Sequence, residues 1–240
     1  MRWSNAVLAT ALLSLAACGG LLPGANLGSG LTCGGTSFTA DVLEGPGGAE
    51  SGADPASAAL RHHLATSHIE IDSLPDAGWI EVSRTGDDVV YLAPVPGAEG
   101  SWHYASVGRD GDVWKVNGWG GCPLQPEVGP GLGIASFRVA PDVELDRTAT
   151  EIPVLVTERA CNSGEDARGR VVVEAIDEGE HHVIVTIAVR PRGGGQDCPS
   201  NPETPFLLEL PSPLGDRDLL DGSSVPPRDA TACPEIAICS

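Results

Sequence analysis

The sequence predicts a mainly β fold in two units, a small α+β unit over residues 36–126 and an immunoglobulin-like β-sandwich over residues 132–222. Three observations carry this expectation. Glycine (31) and proline (20) are abundant among the 240 residues, which breaks long helices and favours short strands joined by turns. A single stretch, Pro55 to Leu64, has the composition and apolar spacing of a helix. After it come short β-rich runs separated by polar or Gly/Pro stretches.

In chain order, Arg2 is followed by an apolar run, Ala6 to Ala17, interrupted by Thr10 and Ser14. About twelve residues suit the apolar part of a signal peptide and are too few to cross a bilayer. The run ends Leu15-Ala16-Ala17-Cys18, which resembles the lipobox of bacterial lipoproteins. The resemblance implies that residues 1–17 are removed as a signal peptide and that Cys18 becomes a lipidated N-terminus. Diacylation would then hold the chain on the extracytoplasmic face of the cell membrane. The next stretch, residues 18–35, is rich in Gly, Leu, Ser, Asn and Thr and is expected to be a flexible tether.

In the first unit Asp54 is the expected N-cap, Pro55 the first helical residue, and Leu60 and Leu64 the buried side of one turn. Four strands are expected over residues 79–83, 89–93, 102–107 and 113–117. Residues 84–88 form the turn between the first two, and Arg109-Asp110-Gly111-Asp112 the turn between the last two. Residues 127–133 read as a linker. The second unit has expected strands at 136–139, 152–157, 170–176, 181–189 and 205–210. In the longest, Val183, Val185, Ile187 and Val189 alternate onto one face, opposite Thr186 and Arg190. Residues 223–240 remain as a cysteine-containing tail.

Without residues 1–17 the chain carries 13 Lys+Arg against 33 Asp+Glu, a net charge of −20. Such a surface repels polyanions and excludes nucleic acid as a partner. With Cys18 lipidated, six cysteines remain, an even number that suits an oxidising compartment. Six cysteines allow fifteen pairings. Bracketing of the units favours Cys33 with Cys122, Cys161 with Cys198, and Cys233 with Cys239.

Motifs in the second unit also resemble a module of predicted secreted proteins and lipoproteins of actinobacteria. They are Thr157 to Gly164, Cys198-Pro199-Ser200-Asn201-Pro202, and Pro213 to Arg217 with Leu220-Asp221-Gly222. Leu74-Pro75-x-x-Gly78-Trp79 and the stretch from Trp114 to Cys122 are similar to sequences upstream of that module. The family has no assigned biochemical function, so the resemblance implies architecture and location and carries no active-site residue.

Catalytic and cofactor motifs do not emerge, and no metal or cofactor is expected. Lys115 is the single lysine; Val116 follows it, which rules out a phosphate loop, and Asp112 precedes it by three, which rules out a Ser-x-x-Lys pair. His62, His63 and His68 lack the spacing of ligands on one helix face, and His181-His182 point to opposite faces of a strand. Asp110-Gly111-Asp112 lacks the later oxygens of a calcium loop. Arg217 is expected to be forked between neighbouring carboxylates. Four of the five tryptophans and both tyrosines lie between residues 79 and 119. If the helix covers one face of the first sheet, Trp102 and Tyr104, with Trp79, are candidate binding rings on the other, suited to a glycan or an envelope protein; the competing reading makes them core. The function classes that remain are a non-catalytic binding lipoprotein and an envelope hydrolase.

Overall fold

Helix α1 (Pro55–Thr66) begins where Asp54 accepts hydrogen bonds from the backbone N–H groups of Ala56 and Ser57, at 3.1 and 3.3 Å. This satisfies two of the donors a helix N-terminus leaves unpaired. Ala56, Ser57 and Leu60 are buried. Full burial of a leucine such as Leu60 contributes roughly 1.5–3 kcal/mol. The structure, a computed structural model, describes residues 30–66, 74–98, 100–141 and 143–232. Cys18, His68, Cys233 and Cys239, with the pairing expected of the last two, lie outside the described residues.

The fold is mainly β. The strands are β1 (Leu31–Cys33), β2 (Thr36–Phe38), β3 (Ile80–Thr85), β4 (Asp88–Pro94), β5 (Ser101–Asp110), β6 (Val113–Pro123), β7 (Gln125–Pro126), β8 (Gly133–Val139), β9 (Glu151–Glu158), β10 (Val171–Glu178), β11 (His182–Val189), β12 (Thr204–Glu209), β13 (Asp218–Asp221) and β14 (Arg228–Asp229). They form three sheets, β3-β4-β5-β6, β2-β1-β7, and a seven-stranded sheet with the path β12-β9-β8-β11-β13-β14 and β10 on β11.

The four-stranded antiparallel sheet is covered on both faces. Helix α1 packs on Val89, Tyr91, Ala93, Ala105 and Val107, together with Trp79. The opposite face, with Ile80, Val82 and Leu92, packs against Leu31, Cys33, Phe38 and Leu124. A strand between two apolar layers loses its alternation, and β4 accordingly reads Val-Val-Tyr-Leu-Ala. The bridge Cys33–Cys122 joins β1 to β6 inside this second layer. Residues 30–35 of the expected tether belong instead to this layer: Leu31 is fully buried and Cys33 nearly so. Flanking glycines dilute the apolar signal of β1 without removing it.

In the larger sheet β11 is the centre. One edge pairs with β10 along its length; the other pairs antiparallel with β8 over Ile187–Val189 and parallel with β13 over His182–Val185. Val183, Val185, Ile187 and Val189 share one core with Ile152, Val154 and Val156 of β9. Ile184 and Ala188, on the side expected to be polar, are also buried. Part of the cover there is Gly222, where an added Cβ would stand 3.0 Å from Ile184 Cγ2.

Residues 223–232 are not a free tail. After β13 the chain crosses to the layer over the four-stranded sheet, where Val225 packs with Leu31 and Leu124 and donates its N–H to the Leu124 carbonyl at 3.0 Å. Pro226 lies against Gly100 so closely that any side chain at that glycine would collide with it. The chain then returns as β14, and Ala230 joins the second core.

The base of this arm is Asp221, 2% exposed, which accepts from Ser223 N–H at 3.0 Å, Ser223 Oγ at 2.8 Å and Arg228 at 3.2 Å. Burial raises its pKa above the ordinary aspartate value, against the pull of the Ser223 bonds and of the Arg228 and Arg159 charges. A raised folded pKa means that the contribution of Asp221 to stability is full below about pH 4 and is lost as pH rises through the raised value. Asp221→Asn removes this titration. Its stability relative to the parent should rise across that window in melting curves taken as a pH series; a flat difference would refute the assignment.

Candidate functional site: the Trp102 pocket

The β4–β5 hairpin builds a pocket that contains Trp102, a ring singled out from the sequence. Its loop closes on itself: Val95 N–H donates to Ser101 O (2.9 Å), Ala98 N–H to Val95 O (3.2 Å) and Ser101 N–H to Ala98 O (3.1 Å). Gly97 and Gly100 adopt φ of 78° and 72°, the left-handed region that side chains disfavour. Pro94, Val95, Ala98, Ser101 and Trp102 line a shallow cavity of about 390 Å³. Among the described residues no charged side chain lines it. Its walls other than Trp102 were not legible as a site, because the Pro/Gly composition of residues 94–101 signals only a turn.

The three candidate rings are not one surface. Trp102 and Tyr104 are half-buried on the layer that holds Leu31, Phe38 and Cys122, so their face is occupied by β1, β2, Leu124 and Val225. Tyr104 lies over the glycines of β6: Cβ atoms added at Gly118 and Gly120 would stand 3.6 Å from its hydroxyl oxygen and its ring. It covers backbone that has no side chain of its own. Trp79 is fully buried in the other core, and its Nε1–H donates to Pro75 O at 2.8 Å. It is a core residue, corrected from the candidate binding set.

This distribution gives an expected order of effects. Trp79→Ala should cost about 3–5 kcal/mol, as for a buried aromatic, and Trp102→Ala clearly less. Chemical denaturation of both variants checks the order, and a larger loss at Trp102 would place that ring wholly in the core.

The other polar groups are committed elsewhere. His63 stacks obliquely near Trp119, ring centroids 6.1 Å apart, and its pKa is lowered by burial and then by His62. Gly111 and Asp112 form the β5–β6 turn, with Gly111 at φ 63° and Lys115 on Asp110 at 2.8 Å. Arg217 bonds one carboxylate, Glu178 at 3.0 Å, with Ser212 Oγ and the carbonyls of Pro213 and Leu214, rather than a fork between neighbouring carboxylates. The Cys161–Cys198 bridge is present beside an ion pair that the sequence did not reveal. In that pair Arg170 donates both guanidinium arms to Glu158, at 3.1 and 2.7 Å.

Comparison with known proteins finds no family model that matches the chain, no matching curated protein and no matching solved structure.

Proposed function

We propose that this chain is a lipid-anchored, extracytoplasmic binding protein, held at the cell membrane through Cys18 and meeting a glycan or an envelope protein through the Trp102 pocket. The observation that carries the reading is the combination of Leu15-Ala16-Ala17-Cys18 with two disulfides downstream, since thiols oxidise outside the cytosol. No helix of the described residues is long and apolar enough to cross a membrane, and a diacyl anchor would supply the attachment. The half-buried tryptophan ring that lines the pocket suits the ring face of a sugar or an apolar side chain. The second unit is taken as an immunoglobulin-like sandwich. In support, β8 pairs with β11 at its start and β9 at its end, while β9 and β11 share a core.

The test is the intact mass and detergent partition of the protein from its native host. The expected product begins at a diacylated Cys18, and Cys18→Ser should remain uncleaved or be released. An unmodified N-terminus would refute the anchor. Glycan-array and envelope cross-linking measurements with the parent and Trp102→Ala test the pocket separately, with capture lost and melting lowered less than in Trp79→Ala as the expected result.

A further inference from the structure

We infer that Cys161–Cys198 is a reducible clasp: a dithiol opens it in the folded protein and frees the loop over residues 190–203, while Cys33–Cys122 stays closed. The two bridges differ first in access. Cys33 and Cys122 are buried within an apolar layer, whereas Cys161 and Cys198 are both exposed. Thiol–disulfide exchange requires a thiolate to reach a sulfur, so of these two bridges only the second is open to attack without unfolding. The bridges differ also in what they hold. Cys33–Cys122 joins two strands, but Cys198 lies in a connection, residues 190–203, that has no helix or strand. Loops of such length are uncommon in compact domains. Most of its residues are exposed, and Gly193-Gly194-Gly195 gives its backbone the freedom to swing.

The hydrogen bonds that accompany the bridge are polar contacts to residues 158–164. Ser163 Oγ donates to Gln196 Oε1 at 2.9 Å and accepts from Asp197 N–H at 3.1 Å, and Ser163 N–H donates to Asp197 O at 3.0 Å. Arg192 donates to the Asn162 carbonyl at 3.0 Å. Such bonds at an exposed loop compete with water and yield to local opening once a covalent link is lost. Behind them the corner is closed: Asn162 and Glu158 are both buried, and Asn162 donates to Glu158 beside Arg170. In the reduction, one thiolate of the dithiol attacks a bridge sulfur, the S–S bond breaks and a mixed disulfide forms; the second thiolate then displaces the protein sulfur. Cys161 and Cys198 gain two electrons and two protons and become thiols, and the dithiol leaves as a disulfide. Residues 191–199 then part from Asn162 and Ser163, which admits water to the Glu158–Arg170 corner. Neither Cys18 nor the Trp102 pocket takes part, so the clasp stands or falls apart from the proposed function.

The experiment treats the full chain in detergent with dithiothreitol under native conditions. Alkylation with mass spectrometry reads each cysteine, and trypsin reads the loop through cleavage after Arg192. Cys161 and Cys198 should become alkylated at least about tenfold faster than Cys33 and Cys122, with the far-ultraviolet circular dichroism retained. Cleavage after Arg192, whose side chain must leave the Asn162 carbonyl to enter the protease, should accelerate at least about tenfold on reduction. Reoxidation of an unalkylated sample should restore the slow rate. Cys161→Ala combined with Cys198→Ala should show the fast cleavage without reductant. Opening of both bridges together, or loss of the dichroism signal as Cys161–Cys198 opens, would overturn the proposal. An unchanged rate of cleavage after Arg192 in the reduced protein would also overturn it, leaving the bridge a structural staple with no moving part.

Discussion

Replacing Cys33 and Cys122 together by alanine is expected to lower the unfolding free energy by about 4–5 kcal/mol, the value loop-closure entropy gives for the 89-residue separation of the pair. The bridge lies in the layer formed by Leu31, Phe38 and Leu124, so its loss also loosens buried packing. Cys161 and Cys198 are 37 residues apart and both exposed, and their removal should cost about 3–4 kcal/mol. Urea unfolding of the two double variants under non-reducing conditions measures the difference. A smaller loss at Cys33–Cys122 than at Cys161–Cys198 would contradict the entropic ordering.

The second large effect is expected at Glu158. Its side chain is only 2% exposed, and its carboxylate is held by both arms of Arg170 and by the Asn162 amide at 3.1 Å. Asn201 closes the same corner by donating to the carbonyls of Glu158 and Ala160. Glu158→Ala leaves the guanidinium without its carboxylate, a change that costs about 3–5 kcal/mol for a buried pair. Replacing both partners by apolar residues of similar volume should cost much less, because no unpaired charge remains. A double-mutant cycle in denaturant separates the cases; single and double losses that simply add would show that the two groups are uncoupled.

What the sequence made legible was local. Asp54 before Pro55 marked the helix start because the cap acts within three residues. The turn at Asp110-Gly111 and the alternation in β11 needed no knowledge of distant chain. What remained hidden depends on which elements meet. For Trp102 and Tyr104 the sequence left an open face and a core position as alternatives, because nothing nearby announces that β1, β2 and Val225 pack on their side. Ile184 and Ala188 looked peripheral because their cover arrives from residues that pair in parallel more than thirty positions later. The Glu158–Arg170 pair was one acid and one base among many, and only the fold shows that water is excluded from it.

The crossing of residues 222–228 has a consequence for how the molecule comes into being. A ribosome delivers this chain from its N-terminus, so residues 30–126 emerge while Val225 is still unsynthesised. The layer around Leu31, Leu124 and the Cys33–Cys122 bridge then has a vacancy that only the last tenth of the chain can fill. Maturation of the first half is thereby tied to completion of the second, and a product cut short before residue 222 carries an unfinished interior at the opposite end of its sequence.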